Sequence, residues 1–223
     1  MSSSTLAAVE IQTDPRPAAS VIWLHGLGAD GYDFVPVVRE LENLGAPAAR
    51  YVFPHAPTRP VTINGGYVMR AWYDIYGNDL VRREDEGGIR QSQKQVEDLI
   101  EREIERGTPR SRIVLAGFSQ GGAITLQAGL RQQEPLAGLL ALSTYLPLAA
   151  QFDAERAAAS ATIPIFMAHG RSDPVIPFAR ATASRDALLA AGYPLEWHEY
   201  EMPHSVCEEE IRHIAGFLKR LFA

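Results

Sequence analysis

The stretch RIVLAGFSQGGAITLQAGLR, residues 112–131, decides the fold class of this chain. Its first six residues predict a buried strand, and residues 121–131 predict a helix. Between them stands Gly117-Phe118-Ser119-Gln120-Gly121, the G-x-S-x-G pattern of a serine held on a sharp strand-to-helix turn. A side chain at either glycine would crowd the opposite arm of such a turn. The pattern therefore predicts a nucleophilic serine, whereas the competing interpretation is a glycine-rich turn with an inert one.

Outward from this turn, apolar strands alternate with helices. The predicted strands are 9–13, 20–24, 50–53, 112–117, 138–143, 163–169 and 195–200. The predicted helices are 32–44, 87–106, 121–131, 178–191 and 206–222. This alternation is typical of an α/β domain with a mostly parallel central sheet and helices on both faces. The serine turn lies between one such strand and the helix that follows it.

The domain organisation follows from length and composition. The chain has 223 residues, of which 46% are hydrophobic and 22% are charged, as in an ordinary globular protein. No repeat or linker divides it, so residues 1–223 are predicted to form one domain. Residues 1–8 are expected to be a loose tail. Residues 59–76, rich in proline, glycine and aromatic residues, are expected to form an irregular excursion, with a short strand near 69–74.

Two residues after later strands complete a catalytic triad with the serine. Asp173 follows the predicted strand 163–169, and His204 follows the last predicted strand. Ligands bind at the carboxyl ends of parallel strands, and this architecture orders its triad as serine, acid, histidine. Ser119 is therefore assigned as nucleophile, His204 as general base, and Asp173 as the group that orients the imidazole. A turn aspartate and a surface histidine are the alternatives when each residue is considered alone.

Acyl transfer also needs donors for the developing oxyanion. The backbone N–H of Gln120, the residue after the nucleophile, is one candidate. The other is the backbone N–H of Leu27, in the loop His25-Gly26-Leu27-Gly28 that follows the strand at 20–24. The Leu27 side chain would then be free to line the substrate pocket.

The remaining histidines have smaller expected roles. His25 is expected to shape the glycine loop, and His169 to make a structural hydrogen bond at the end of its strand. His169 is also the next candidate for the base if His204 is not. His55, His198 and His213 are interpreted as incidental to catalysis. The histidines and carboxylates lack the spacing of a metal site, so we expect neither a metal nor an organic cofactor.

The glycine loop supports one rival function. Gly26-Leu27-Gly28-Ala29-Asp30-Gly31 is a literal G-x-G-x-x-G between a strand and a helix, the fingerprint of a dinucleotide-binding fold. An NAD-dependent oxidoreductase is therefore a remote alternative. Its second strand should end in an acidic residue for the ribose, but this one ends Val52-Phe53-Pro54-His55. A binding module that lacks catalysis is disfavoured, since no catalytic position is lost.

Charge and cysteine content limit the partners. The net charge is −6, which argues against nucleic acid as the main partner. The most apolar long stretch, residues 136–152, is shorter than the roughly 20 residues that cross a bilayer, so no transmembrane segment is predicted. One cysteine and no signal peptide indicate a cytoplasmic protein.

The chain resembles the phospholipase/carboxylesterase family of α/β-hydrolases, which includes bacterial carboxylesterases, lysophospholipases and acyl-protein thioesterases. The motifs that carry the resemblance are VIWLHGLG (21–28), FPHAP (53–57), MRAWYD (69–74), GFSQGG (117–122) and HSVC (204–207). The triad of that family falls on Ser119, Asp173 and His204. The resemblance covers nearly the whole chain, and the motifs NGGY (64–67) and RAWY (70–73) look most like the bacterial carboxylesterase branch.

The resemblance implies an α/β-hydrolase fold without a large cap domain, in which residues 59–76 form a small lid-like excursion beside the site. It also implies a small-molecule or lipid-like ester substrate. It places Trp72 near the acyl group, and we assign Leu27, Trp72 and Val175 to the substrate pocket. It also implies that a homodimer is possible. The favoured function is a serine carboxylesterase acting through an acyl-enzyme on esters of short to medium chain length. The alternative is an acyl-protein thioesterase or a lysophospholipase with the same triad.

Overall fold

A computed structural model describes residues 6–77 and 84–223 of the chain. Residues 1–5, most of the predicted N-terminal tail, lie outside the described part. The strands are β1 (Ala8–Gln12), β2 (Ser20–Leu24), β3 (Arg50–Pro54), β4 (Thr58–Val61), β5 (Tyr67–Arg70), β6 (Ile113–Phe118), β7 (Gly138–Leu142), β8 (Ile165–Gly170) and β9 (Leu195–Tyr200). The helices are α1 (Val35–Asn43), α2 (Glu86–Glu105), α3 (Gln120–Gly129), α4 (Phe152–Glu155), α5 (Phe178–Ala190) and α6 (Glu208–Phe222).

Seven of these strands form one sheet in the order β1-β3-β2-β6-β7-β8-β9. All neighbours pair in parallel except β1, which runs antiparallel to β3 at the edge. Strands β2, β3 and β7 are buried along their whole length, as expected where helices cover both faces of a parallel sheet. The predicted α/β-hydrolase fold is confirmed.

Alternate residues of the central strands face two separate apolar layers. In β2, Val21 and Trp23 pack in the layer that contains α1 and α6. Ile22 and Leu24 face the opposite layer, built with α2, α3 and α5. Because successive side chains point to opposite faces of the sheet, one apolar strand contributes to both layers. No helix in the described ranges is long and apolar enough to span a bilayer.

The excursion after β3 contains an antiparallel hairpin, β4–β5, rather than only irregular chain. Its turn passes through Gly65 and Gly66, whose φ angles of 65° and 79° favour glycine. The strand predicted near 69–74 lies two residues earlier and is shorter, since β5 spans Tyr67–Arg70. Most of the hairpin is exposed, with Tyr67 at 70% exposure, so it lacks the burial pattern that reveals a strand in sequence. Helix α4 was not predicted.

Candidate active site

Ser119 sits on the strained turn that the sequence predicts. It lies between β6 and α3 with φ 55° and ψ −119°, a conformation that L-residues rarely adopt. A Cβ atom on Gly117 would lie 2.4 Å from the backbone of Gly121, and one on Gly121 would lie 2.4 Å from the Leu24 carbonyl oxygen. Both glycines are therefore required for the serine to stand at the carboxyl edge of the sheet.

Asp173 and His204 come from the loops after β8 and β9 and meet at the same edge. His204 Nδ1 lies 2.6 Å from Asp173 Oδ2, and the carboxylate is completely buried. The other carboxylate oxygen accepts hydrogen bonds from the amides of Val175 and Ile176, at 2.8 Å and 2.9 Å. Since a carboxylate oxygen only accepts here, His204 carries its proton on Nδ1 and leaves Nε2 available as a base.

The imidazole of His204 packs against the ring of Phe118, with 4.7 Å between the ring centroids. Phe118 is the residue before Ser119, so this contact places the candidate base beside the turn of the candidate nucleophile. Within the described chain the Ser119 hydroxyl makes no hydrogen bond. Catalytic hydrogen bonds of this kind commonly tighten only when a substrate binds.

A second histidine reaches the acid from its buried side. His169 Nε2 lies 2.9 Å from the Ile176 carbonyl oxygen and 3.3 Å from Asp173 Oδ2. Both neighbours are acceptors, so this nitrogen carries the proton, and Nδ1 is buried without a partner in the described chain. Burial lowers the pKa of His169 and keeps it neutral. A neutral His169 brings no positive charge to compete with His204 for Asp173. The structural hydrogen bond expected for His169 is present.

The Leu27 amide, one of the two proposed oxyanion donors, belongs to a peptide held by His25. The Ala56 amide donates to His25 Nε2 at 3.0 Å, so the proton is on Nδ1, which donates to the Gly26 carbonyl at 2.7 Å. Burial lowers the pKa of His25 to about 4, and the ring stays neutral. Neither the Leu27 amide nor the Gln120 amide donates to a protein acceptor within the described ranges.

Trp72 links the two segments that carry the candidate oxyanion donors, the loop after β2 and the start of α3. Its indole N–H donates to the His25 carbonyl at 2.9 Å, and its backbone N–H donates to Gln120 Oε1 at 2.8 Å. The side-chain amide of Gln120 donates in turn to the Tyr73 carbonyl at 2.8 Å. These bonds fix the loop after β2 against the start of α3, so that both oxyanion candidates keep a constant separation.

A cleft of about 520 Å³ opens at Ser119. It is lined by Leu27, Ile63, Asn64, Tyr73, Ile75, Gly77, Ser119, Gln120, Tyr145, Pro174, Val175, Ile176 and Pro177. Of the residues assigned to the pocket from sequence, Leu27 and Val175 line the cleft. Trp72 does not: its side chain is fully buried, and its neighbour Tyr73 takes the place at the wall.

The sequence interpretation missed Tyr73 and Tyr145, whose hydroxyls lie 2.9 Å apart at the cleft. Tyr145 follows β7 directly, so the strand-end rule that located Asp173 and His204 would have found it. Tyr73 carried no such signal, because it follows an exposed hairpin outside the main sheet. In the described ranges no three histidine, cysteine or carboxylate side chains are grouped to hold a metal ion.

The glycine loop does not match the dinucleotide fingerprint in three dimensions. Helix α1 begins at Val35, four positions after the last glycine of the pattern, so the loop does not open directly into a helix. The helix N-terminus that would receive a pyrophosphate is therefore not formed by these glycines. Gly31 is instead packed so tightly against β3 that a Cβ atom would lie 2.3 Å from the Phe53 carbonyl oxygen.

Comparison with known proteins agrees with this architecture. The sequence pattern of the phospholipase/carboxylesterase family matches residues 5–222. Acyl-protein thioesterase 1 of Neurospora crassa is 42% identical over 214 residues, which cover 91% of this chain and 86% of the relative. Acyl-protein thioesterase 1 of Mycosarcoma maydis is 40% identical over 222 residues, 92% of either chain.

Solved structures show the same similarity. Arabidopsis thaliana SOBER1 superposes with a TM-score of 0.85 at 30% identity, over 92% of this chain and 99% of that one. Acyl-protein thioesterase 2 of Zea mays superposes with a TM-score of 0.84 at 26% identity, over 97% and 99%. The chain therefore belongs to the phospholipase/carboxylesterase family of α/β-hydrolases, enzymes that hydrolyse ester or thioester bonds.

Proposed function

We propose that this protein is a serine hydrolase that cleaves acyl thioesters, with S-acylated peptides or proteins as its substrates and Ser119, His204 and Asp173 as its triad. The observation that carries the proposal is the 2.6 Å contact between His204 Nδ1 and Asp173 Oδ2 beside the strained turn of Ser119. An imidazole oriented by a buried carboxylate, next to an elbow serine that lines a cleft, is the arrangement of acyl-transfer enzymes.

In the acylation step, Ser119 Oγ attacks the carbonyl carbon of the substrate while His204 Nε2 takes the hydroxyl proton. The carbonyl oxygen becomes an oxyanion and accepts hydrogen bonds from the Leu27 and Gln120 amides. The tetrahedral intermediate collapses, the carbon–sulfur bond breaks, and His204 returns its proton to the leaving thiol. The acyl group stays on Ser119 as an ester.

Deacylation repeats the sequence with water. His204 Nε2 accepts a proton from the water that attacks the acyl-enzyme, and the same two amides hold the second oxyanion. Collapse releases a carboxylic acid and restores the serine hydroxyl. Asp173, which accepts hydrogen bonds from His204 and from two backbone amides, holds the imidazole in one orientation through both half-reactions.

We propose a thioester rather than a carboxylic ester as the substrate because of the proteins to which this chain is similar. The two curated relatives named above, at 42% and 40% identity, are both acyl-protein thioesterases. The alternative from the sequence interpretation is therefore better supported than its main reading, a short-chain carboxylesterase of the bacterial branch. The acyl-enzyme is the same in both cases, so ordinary esters remain expected as poorer substrates.

A substrate panel tests the proposal. Purified protein is given an S-octanoyl peptide, the matching O-octanoyl serine peptide and an octanoyl lysophospholipid, and kcat/KM is measured for each. We expect the thioester to have the highest kcat/KM. A higher value for the oxygen ester would return the assignment to a carboxylesterase, and a higher value for the phospholipid would make it a lysophospholipase.

The triad is tested separately. Ser119→Ala should lower kcat by several orders of magnitude, and a fluorophosphonate adduct should be found on Ser119 by mass spectrometry. Asp173→Asn should lower kcat by about 10⁴-fold through the wrong imidazole tautomer. His55→Ala is the matched control and should keep most of the activity. An adduct on another serine, or a His204→Ala variant with more than about a tenth of wild-type kcat, would contradict the assignment.

A further inference from the structure

Arg70, the last residue of β5, joins the β4–β5 hairpin to the loop that carries the Leu27 amide. Its carbonyl oxygen accepts a hydrogen bond from the Gly28 amide at 2.9 Å. Its guanidinium Nη1 donates to the Ala56 carbonyl oxygen, also at 2.9 Å. Within residues 6–77 and 84–223 no carboxylate pairs with this half-buried guanidinium, so a backbone carbonyl is its acceptor. A charged donor makes a stronger hydrogen bond to such a carbonyl than a neutral donor does.

Three hydrogen bonds in series run from this guanidinium to the peptide unit of Leu27. After the bond to the Ala56 carbonyl, the Ala56 amide donates to His25 Nε2 at 3.0 Å, and His25 Nδ1 donates to the Gly26 carbonyl at 2.7 Å. Ala56 and His25 are both buried, so water does not replace these partners. A shift of Ala56 would therefore move His25 away from the Gly26 carbonyl.

Arg70 thereby constrains both peptide units that flank the Cα atom of Leu27. The preceding unit contains the Gly26 carbonyl and the Leu27 N–H, and its oxygen is held by His25. The following unit contains the Gly28 N–H, which the Arg70 carbonyl holds directly. Because a peptide unit is planar, fixing both planes fixes the direction of the Leu27 N–H. Gly28 adopts a φ of 78°, a left-handed conformation that favours glycine.

We propose that Arg70 is a positioning residue for the oxyanion hole, which fixes the Leu27 amide and couples this donor to the β4–β5 hairpin. The inference rests on the proposed function, in which the Leu27 N–H stabilises the oxyanion. Arg70 does not line the cleft at Ser119, so it acts through the Leu27 amide and not by touching the substrate. An oxyanion donor stabilises the transition state only when it is held in place before the charge develops, so loosening it lowers kcat more than substrate affinity.

The first test is Arg70→Met, which keeps the aliphatic stem and removes the guanidinium. Hydrolysis of p-nitrophenyl butyrate is measured, because an ester and a thioester form the oxyanion from the same carbonyl oxygen. We expect kcat to fall about tenfold, less than for the loss of a whole oxyanion donor, while KM changes by less than about twofold. Arg70→Lys keeps a charged donor and should recover most of the lost kcat. If the lysine and methionine variants have equal kcat, the guanidinium is not the group that fixes the amide.

Arg59→Met is the matched control. Arg59 lies on β4, the other strand of the same hairpin, and its half-buried guanidinium lies 3.8 Å from Asp85 instead of approaching the loop after β2. This variant should keep kcat within about twofold of wild type. An equal loss of kcat in Arg59→Met and Arg70→Met would mean that general loosening of the hairpin is responsible, and would overturn the inference.

A double-mutant cycle identifies the route from Arg70 to the amide. If Arg70 acts through His25, Arg70→Met should cost less than about twofold in a His25→Leu background, because the series of hydrogen bonds is already broken there. Costs in kcat that multiply would show that Arg70 acts by another route, and the series would not be the link.

Exchange of the Gly28 amide, measured by NMR, needs no substrate and separates the inference from the proposed function. Its rate should rise about fivefold or more in Arg70→Met and stay unchanged in Arg59→Met. If wild type hydrolyses the butyrate ester and not the S-octanoyl peptide, the proposed thioesterase fails, and the kcat of Arg70→Met still decides the inference. If wild type hydrolyses neither, the proposed function fails and the exchange rate decides.

Circular dichroism melts show whether the variants fold, and Arg70→Leu replaces Arg70→Met if the latter does not. An unchanged kcat and an unchanged exchange rate in a folded variant overturn the inference and leave the proposed function standing.

Discussion

His25 donates a hydrogen bond from Nδ1 to the carbonyl oxygen of Gly26, its own neighbour, across 2.7 Å. That carbonyl belongs to the peptide unit whose other end is the Leu27 N–H, a proposed oxyanion donor. Because a peptide unit is planar and trans, holding its oxygen on one side turns its N–H to the other. In the proposed mechanism His25 is thus a positioning residue, which would act on the reaction through the Leu27 amide and would need no contact with substrate.

Replacing His25 should therefore lower kcat more than it changes KM. We expect His25→Leu to lose about 10²-fold in kcat, in the range seen when an oxyanion donor is removed. His25→Asn places an amide N–H where Nδ1 stood and should recover part of the loss. Steady-state kinetics on the S-octanoyl peptide separates kcat from KM. Equal activity of the leucine and asparagine variants would contradict the positioning role.

His169 supports the acid in a comparable way. His169→Leu removes the donor that lies 2.9 Å from the Ile176 carbonyl and 3.3 Å from Asp173 Oδ2. The loop that aims Asp173 should then shift, and a displacement of about 1 Å can cost about 10²-fold in rate. His169→Gln carries its amide near the position of Nε2 and should retain much of the rate. The pH profile of kcat/KM should shift in the leucine variant and stay near that of wild type in the glutamine variant. If the profile shifts in neither variant, His169 contributes only to packing.

Gly121→Ala should disrupt the nucleophile turn. Its methyl group would lie 2.4 Å from the Leu24 carbonyl and 2.5 Å from the His25 carbonyl, both backbone atoms that cannot swing aside. Overpacking of this kind destabilises by about 1–3 kcal/mol, and here it would also displace Ser119. Gly87→Ala in α2 is the matched control, because the nearest atom there is 3.8 Å away. Urea unfolding should show a loss for Gly121→Ala and none for Gly87→Ala.

Glu210 makes stability depend on pH. Its side chain is completely buried at the start of α6, and burial raises its pKa to about 8, against a smaller opposing effect of the Cys207 amide. A raised carboxyl pKa contributes stability that is complete below the ordinary value of 4.5 and is lost as the pH rises towards 8. Each pKa unit corresponds to about 1.4 kcal/mol.

Glu210→Gln cannot lose a proton, so this pH dependence should disappear. Thermal melts at pH 5, 7 and 9 should show wild type losing Tm across the series relative to the variant. The largest gain from the substitution is expected at pH 9. A gain of the same size at pH 5 and pH 9 would mean that the carboxyl does not titrate in this range.

The layer architecture and the triad candidates could be predicted from the amino-acid sequence. Apolar runs of five or six residues, such as Ile113 to Gly117, must be buried on both faces, and this requires helices on either side of a parallel sheet. The glycines at 117 and 121 indicate the strained turn, because a Cβ atom at either position would clash with backbone atoms. Residues at the ends of such strands share one edge, which is why Asp173 and His204 could be paired with Ser119 across long stretches of chain.

The surroundings of those residues could not be predicted in this way, because they depend on the three-dimensional packing. That Trp72 lies behind the cleft while Tyr73 lines it depends on hydrogen bonds to His25 and Gln120, residues about 47 positions away along the chain. That Arg180 stacks on Tyr145 depends on how α5 packs beside the loop after β7. Local patterning reports whether a side chain is buried, because burial follows from period and hydrophobicity. The pattern does not predict which distant side chain a residue contacts, because that contact depends on how the helices pack on the sheet.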